Sequence, residues 1–365
     1  MKIISAYAKK ANELNTVSRI RSAYGMLLST YRGDKMVRVA INGFGRIGRL
    51  VLRAGINDRK IQWVAVNDLT DAVTLAHLFK YDSVHGKFDG TVKTEGNSLV
   101  INRKKIAVLA EKEPEKLPWR VMKVDVVVES TGRFTSREDC EKHIRAGAKK
   151  VLLSAPSKGD KPIPTFCIGA NEQGIKKAGP IISNASCTTN SLVPLVNVLD
   201  KNFGIKYGFM TTAHSYTADQ NLVDGPHKDL RRARAAAINI VPTTTGAAKA
   251  IGEVFPHLKG KLDGIAIRVP TPNSSFTDLT VVVNKDVTLE QINDAMKKAA
   301  NSYLKNVLEY SEEPLVSTDI IGNPNSSIFD AQQTRVIDKR LVKVCAWYDN
   351  EWGYSVRMVD MLKLM

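Results

Sequence analysis

Ser183-Asn184-Ala185-Ser186-Cys187-Thr188-Thr189-Asn190 sets one cysteine among small polar residues, and an apolar run at helical spacing follows it through Leu192, Val193, Leu195, Val196, Val198 and Leu199. The pattern predicts a loop-to-helix junction with Cys187 near the start of a buried helix. The partial positive charge of a helix amino terminus favours thiolate over thiol, so Cys187 is a candidate nucleophile. A thiolate that attacks a carbonyl carbon also needs a base, an anion site and an acceptor for what leaves. The candidate base is His214 in Met210-Thr211-Thr212-Ala213-His214-Ser215-Tyr216-Thr217. A strand over residues 207–212 would place His214 at its end, facing the helix start. Read from the residues alone, His214 is either that base or a hydrogen-bonded core histidine.

An acceptor site is written near the start of the compact sequence. The strand-like Val37-Arg38-Val39-Ala40-Ile41 runs into Asn42-Gly43-Phe44-Gly45-Arg46-Ile47-Gly48-Arg49 and then an apolar-periodic helix. This is G-x-G-x-x-G between a strand and a helix, the context in which the pattern has a mechanism. Gly43 permits the tight turn, Gly45 lets backbone approach a pyrophosphate, and Gly48 allows helix to pack closely on strand. A second strand, Ile61 to Asn67, runs into Asp68, placed where a carboxylate accepts hydrogen bonds from an adenosine ribose and repels a 2′-phosphate. NAD is therefore expected over NADP. The competing reading is a glycine-rich turn with an unrelated surface acid.

Further strand–helix alternation follows: a strand over residues 124–129, a helix through Cys140 and His143, and a strand at Val151-Leu152-Leu153-Ser154. Such units build a doubly wound α/β fold with ligand at the carboxyl ends of the strands. Cys140 and His143 read as structural. The second half reads as strands at 265–269, 279–283 and 342–347 with a helix over 289–300.

At 365 residues the chain is long enough for about two domains. The four cysteines are scattered without a C-x-x-C pair, which argues against a zinc site or a disulfide framework and favours a reducing, cytoplasmic setting. No metal is expected, and no apolar run approaches the roughly 20 residues that span a bilayer. Lys and Arg number 53 against 37 Asp and Glu, a net charge of +16, which suits anionic ligands. No dedicated nucleic-acid motif accompanies it. Residues 1–35 are basic and precede Met36, where a compact domain would begin. They read as an extension outside the fold, with a targeting peptide or a misassigned start as alternatives.

With the glycine turn, the Cys187 octapeptide and Trp347-Tyr348-Asp349-Asn350-Glu351-Trp352-Gly353-Tyr354-Ser355 in order, the chain from about Val37 onward resembles the phosphorylating glyceraldehyde-3-phosphate dehydrogenase family. The resemblance implies a Rossmann-type doubly wound parallel sheet plus an α+β catalytic domain with a mixed sheet. Residues 36–186 would be the NAD-binding domain, completed by a carboxyl-terminal helix in 351–365, and residues 187–350 the catalytic domain.

The activity it implies is NAD-dependent oxidative phosphorylation of glyceraldehyde 3-phosphate to 1,3-bisphosphoglycerate, a glycolytic step, in a homotetramer. Cys187 would be the nucleophile and His214 its partner. Gly43, Gly45, Arg46, Ile47, Gly48, Asp68, Lys112, Ser130 and Asn350 would contact the cofactor, Asn350 through the nicotinamide amide, with Tyr354 nearby or in the core. Thr217 and Arg268 would hold the substrate phosphate. Ser186, Thr188, Thr245, Gly246 and Arg232 would hold inorganic phosphate, Arg232 being chosen over Arg231 and Arg234. Two rivals stand beside this reading: an erythrose-4-phosphate dehydrogenase, and a basic nucleic-acid-binding or scaffolding protein with a vestigial site.

Overall fold

The computed structural model describes residues 36–365, and the extension expected over residues 1–35 lies outside the described residues. Two sheets carry the fold. The first contains β1 (Val37–Asn42), β2 (Ile61–Asn67), β3 (Val92–Thr94), β4 (Ser98–Ile101), β5 (Lys104–Leu109), β6 (Val126–Glu129), β7 (Lys150–Leu153) and β8 (Ile181–Ser183), in the order β3-β4-β5-β2-β1-β6-β7-β8. The pairings from β5 through β8 are parallel. The expected doubly wound parallel sheet carries an antiparallel edge, where β3, β4 and β5 pair antiparallel. A two-residue turn makes the last hairpin: Asn102 and Arg103 both take positive φ (47° and 66°), as a tight strand reversal demands.

The helices on this sheet are α1 (Arg46–Gly55), α2 (Ala72–Lys80) and α3 (Arg137–Arg145). Strand order reverses at β1, whose neighbours β2 and β6 lie on opposite sides, so a crevice opens beyond their carboxyl ends. Gly48 earns its place geometrically, because a Cβ there would lie 2.2 Å from the Gly43 carbonyl oxygen.

The second sheet is mixed, in the order β10-β11-β9-β12-β15-β14-β13. Its strands are β9 (Ile205–Ser215), β10 (Val241–Thr244), β11 (Leu262–Val269), β12 (Ser275–Val283), β13 (Leu308–Ser311), β14 (Ser327–Ile337) and β15 (Leu341–Tyr348). Helices α4 (Cys187–Phe203), α5 (Ala247–Val254) and α6 (Leu289–Ala300) pack with it around one apolar core that includes Leu192, Leu195, Leu199, Met210, Leu279 and Phe329. The last helix, α7 (Trp352–Leu364), leaves this sheet and buries Tyr354, Met358, Val359 and Leu362 in the core of the first.

Strand β9 runs three residues past the expected end, so His214 lies inside it rather than beyond it. Alternation then decides which side chains face inward. Met210, Thr212 and His214 fall on the buried face, whereas Tyr207 and Phe209 point the other way and are exposed.

Candidate active site

Cys187 is the first residue of α4, and the route into it is strained. Ala185 takes φ +54°, a conformation that costs a residue with a Cβ about 1–2 kcal/mol. The buried Tyr354 hydroxyl holds that turn by donating to the Ala185 carbonyl at 3.1 Å. Ser186 caps the helix, its hydroxyl accepting from the Thr189 N–H at 3.1 Å. Of the four cysteines, Cys187 alone is partly exposed; Cys140, Cys167 and Cys345 are buried, and burial raises all three thiols out of the reactive range.

The His214 ring stands over the sulfur, with Nε2 3.5 Å from Sγ. Its Nδ1 lies 2.7 Å from the Ser215 carbonyl oxygen, which can only accept. The proton therefore sits on Nδ1, and Nε2 presents its lone pair to the thiol. Burial lowers the imidazole to about 4, helped by the positive charges of Arg268 and Arg232 and opposed by the Ser215 carbonyl. Burial likewise pushes the Cys187 thiol up, against hydrogen bonds from Thr188 and the charge of Arg268. Desolvation thus opposes charge on each partner taken alone, and the 3.5 Å contact leaves thiolate and imidazolium one proton transfer away. The helix start favours the anion expected from the sequence, and desolvation acts against it.

Tyr348, at the end of β15, locks the pair in place. Its hydroxyl lies 3.0 Å from Thr188 Oγ1 on α4 and 2.8 Å from Thr212 Oγ1 on β9, and its ring meets His214 edge-on. One side chain so joins the helix that carries the sulfur to the strand that carries the imidazole. Sequence reasoning did not find it, since its partners are distant in the chain. Two residues on, Asn350 Oδ1 accepts from the hydroxyls of Ser215 (2.9 Å) and Ser275 (2.8 Å), which leaves its Nδ2 as a donor of fixed direction.

The parallel pairing of β11 with β9 sets Arg268 beside His214 in register. Arg268 donates to Thr217 Oγ1 at 2.6 Å and to Gln220 Oε1 at 3.2 Å, while its buried Nε has no partner. A largely buried guanidinium bonded only to neutral groups is suited to an anion. Thr245 and Gly246 form the entry to α5: Gly246 is its N-cap residue, and Thr245 Oγ1 accepts from the Ala247 N–H at 3.2 Å. Arg232 donates to Thr243 Oγ1 (2.9 Å) and pairs with Asp219 (2.6 Å). Of the three candidate arginines only Arg232 has a charge that acts on both His214 and Arg268; Arg234 pairs with Asp224 at the surface, and Arg231 makes no contact with the reacting pair.

A cavity of about 620 Å³ opens beyond the carboxyl ends of β1, β2 and β6. Gly43, Gly45, Asp68, Lys112 and Ser130 line it, as expected. A Cβ on Gly45 would meet nothing within 4 Å, so its backbone is open to a close-approaching phosphate. Asp68 accepts the Phe44 N–H at 2.9 Å and the Thr70 N–H at 3.1 Å, which fixes the carboxylate at the cavity wall. Arg46, Ile47 and Gly48 are not among the residues lining the cavity; they form the first turn of α1. Arg46 pairs with Asp82 (2.5 Å) and with Glu351, so its side chain ties the glycine turn to the segment after Asn350. Asn42, Asn67, Glu111, Thr131, Arg133 and Phe134 also line the cavity and were missed in the sequence.

Comparison with known proteins agrees with this division. Residues 37–137, which include every residue lining the cavity, match the family model "Glyceraldehyde 3-phosphate dehydrogenase, NAD binding domain". Residues 186–350, which include Cys187, His214, Arg268 and Asn350, match "Glyceraldehyde 3-phosphate dehydrogenase, C-terminal domain". Glyceraldehyde-3-phosphate dehydrogenase of Geobacillus stearothermophilus is 60% identical over 326 residues, 89% of this chain and 97% of the relative. The Thermotoga maritima protein of that name is 60% identical over 333 residues, 90% of this chain and 99% of the relative. Glyceraldehyde-3-phosphate dehydrogenase 1 of Bacillus subtilis is 58% identical over 326 residues, with 89% and 97% covered. The chain belongs to the glyceraldehyde-3-phosphate dehydrogenase family, and its cofactor is NAD.

Two outcomes follow from the Cys187–His214 geometry. His214→Asn is expected to slow alkylation of Cys187 by iodoacetamide at pH 7 by about tenfold or more, through loss of the proton acceptor; equal rates in variant and wild type would contradict the activation. The second concerns acid stability. Because His214 titrates near 4 in the folded chain and near 6.5 unfolded, the unfolded state binds the extra proton between those values. Wild type therefore loses up to about 3 kcal/mol as pH falls through that window, and His214→Asn does not. Denaturant unfolding at pH 7, 5 and 4 should show the variant gaining on wild type toward pH 4; a constant difference would contradict a neutral buried imidazole.

Proposed function

We propose that this member of the family catalyses the NAD-dependent oxidative phosphorylation of glyceraldehyde 3-phosphate to 1,3-bisphosphoglycerate, with Cys187 and His214 as its catalytic residues. The observation that carries the reading is the Sγ–Nε2 contact at 3.5 Å with Arg268, bonded only to neutral groups, beside His214 in the sheet. The relatives described above are named glyceraldehyde-3-phosphate dehydrogenase, and this chain covers nearly the whole of their lengths.

Cys187 Sγ gives its proton to His214 Nε2 as it bonds to the aldehyde carbon, forming a hemithioacetal. The helix-start amides face the new oxyanion, His214 Nε2 passes its proton to that oxygen, and the neutral imidazole then takes the hydroxyl proton back as the carbon is oxidised. Bound NAD supplies the acceptor for the hydride that leaves this carbon. Cys187 then holds the acyl group as a thioester, which keeps the energy of oxidation in a bond. Inorganic phosphate attacks the thioester carbon, the sulfur leaves, and the acyl phosphate is the product.

Asn350 Nδ2 is the donor positioned for the nicotinamide carboxamide, and Asp68 accepts from the adenosine ribose. Gly43, Gly45 and Ser130 form the cradle, and Lys112 stands at its rim. Arg46, Ile47 and Gly48, in the first turn of α1, complete it from the helix start that faces the pyrophosphate. Arg268 and Thr217 hold the substrate phosphate. Ser186, Thr188, Thr245, Gly246 and Arg232 surround the attacking phosphate; because Tyr348 bonds the Thr188 hydroxyl, Thr188 contributes chiefly its N–H. Residues 36–186 with 351–365 form the cofactor half, and residues 187–350 the catalytic half.

The working form is a homotetramer in the cytoplasm. Phe209 is 71% exposed on the outer face of β9 beside Tyr207, and Leu222, Leu230, Ile238 and Ile240 are exposed in the long segment between β9 and β10. Apolar area of that extent calls for a partner surface. No helix among the described residues is long and apolar enough to cross a membrane.

The decisive assay follows NADH absorbance with glyceraldehyde 3-phosphate and NAD, with and without inorganic phosphate. Sustained turnover only with phosphate supports the reading, and sustained turnover without it contradicts acyl transfer to phosphate. A higher kcat/KM with erythrose 4-phosphate would move the substrate to the tetrose. Asp68→Gly is expected to lower the NAD/NADP preference at least about tenfold, through loss of a ribose acceptor and of the charge opposing a 2′-phosphate. An unchanged ratio would contradict the ribose assignment.

A further inference from the structure

Three strands end side by side beneath the cavity, and their last residues are all polar and all buried: Asn67 on β2, Asn42 on β1 and Glu129 on β6, which are 5%, 1% and 1% exposed. Register makes them direct neighbours, Asn67 beside Asn42 and Asn42 beside Glu129. None of the three belongs to the reacting pair or to the phosphate sites.

Hydrogen bonding gives this row one direction. Trp119 Nε1, which can only donate, lies 3.0 Å from His143 Nδ1. Nδ1 is therefore the acceptor and Nε2 carries the proton, which it donates to Glu129 Oε2 at 3.0 Å. Asn42 Nδ2 donates to the same oxygen at 2.6 Å, so Asn42 Oδ1 must face the other way. There it accepts from Asn67 Nδ2 at 2.7 Å. Asn67 then has its Oδ1 left to accept the Glu111 N–H at 2.9 Å, while its Nδ2 also donates to the Glu111 carbonyl at 2.8 Å. On the other carboxylate oxygen, Glu129 Oε1 accepts the N–H of Thr131 at 2.9 Å and its hydroxyl.

The row reaches the cavity wall at Glu111 and, through a branch from Glu129, at Thr131. Glu111 sits next to Lys112 on one lip, and Thr131 lies on the opposite wall. The Thr131 nitrogen is packed against the glycine turn, only 2.5 Å from where a Cβ on Gly43 would be. The carboxylate accepts at both oxygens and donates nowhere. Reversing either amide would set oxygen against oxygen or N–H against N–H, so the acceptor-only carboxylate agrees with the direction that Trp119 sets at one end and the Glu111 main chain at the other.

We infer that Glu129, oriented by His143 and Trp119, is a positioning residue for the cofactor: through Thr131 it holds the glycine turn, and through Asn42 and Asn67 it holds the Glu111–Lys112 lip. It touches neither substrate nor reacting atoms. The inference rests on the reading of this cavity as the NAD site.

The test is Glu129→Gln, which keeps shape but sets an amide NH₂ among donors. Its KM and Kd for NAD are expected to rise about tenfold, the effect of misdirecting one or two buried hydrogen bonds. Turnover at saturating NAD and alkylation of Cys187 should stay at wild-type values, and the Glu111 amide should exchange hydrogen faster. Wild-type NAD affinity in the variant, or a fall in kcat with KM unchanged, would overturn the inference. Should the variant fail to fold, neutron diffraction on the wild-type enzyme decides: a deuteron on His143 Nε2 with both amides oriented as above supports it, and a deuteron on Nδ1 overturns it. Absence of NAD binding by the wild-type protein would instead sink the cavity's assignment, and a change confined to Glu129→Gln cannot be confused with that result.

Discussion

A sulfur at the start of a helix and an imidazole near the end of a strand meet at 3.5 Å, and most of the second half of the chain exists to hold that distance. The helix start is set by a left-handed turn at Ala185 and a serine cap; the imidazole is set by the Ser215 carbonyl. Neither element touches the other through main-chain hydrogen bonds, so their separation depends on side chains. Tyr348 supplies the link, bridging one hydroxyl on each element from a third strand. A rigid mutual position matters because proton transfer between Sγ and Nε2 falls off steeply with distance and angle.

Burial works on this pair in two ways. It disfavours charge on each partner taken alone. The same low dielectric strengthens the attraction between thiolate and imidazolium once the proton moves. Arg268 stands beside His214 in the sheet and adds positive charge that an incoming phosphate would offset. The arrangement couples arrival of an anionic substrate to relief of charge repulsion at the histidine.

Local patterns in the sequence carried a good part of this. The glycine turn between strand and helix, the acid after β2, and the cysteine before an apolar run are all short-range features, and each lies where its pattern places it. The helix over residues 289–300 also matches residue for residue, because a capping box at Thr288 and Gln291 marks its start. What was not legible depends on contacts across long separations. Tyr348 meets residues 160 and 136 positions earlier, and Arg46 reaches Glu351 over 305. The row from Trp119 to Glu111 uses ordinary residues at unremarkable spacings, and only strand register makes it a row. The hairpin edge of the first sheet was missed because its strands are too short for alternation to show. Nor does a sequence that displays the helix start show the depth of burial that acts against an anion there.

The central claim is that Cys187 carries the acyl group during turnover, and mass spectrometry of the intact protein tests it directly. Enzyme mixed with glyceraldehyde 3-phosphate and NAD, with phosphate withheld, should gain the mass of one phosphoglyceroyl group on the peptide that contains Cys187, and the adduct should vanish when phosphate is added. A chain that reduces NAD under these conditions with no adduct on that sulfur would contradict the account.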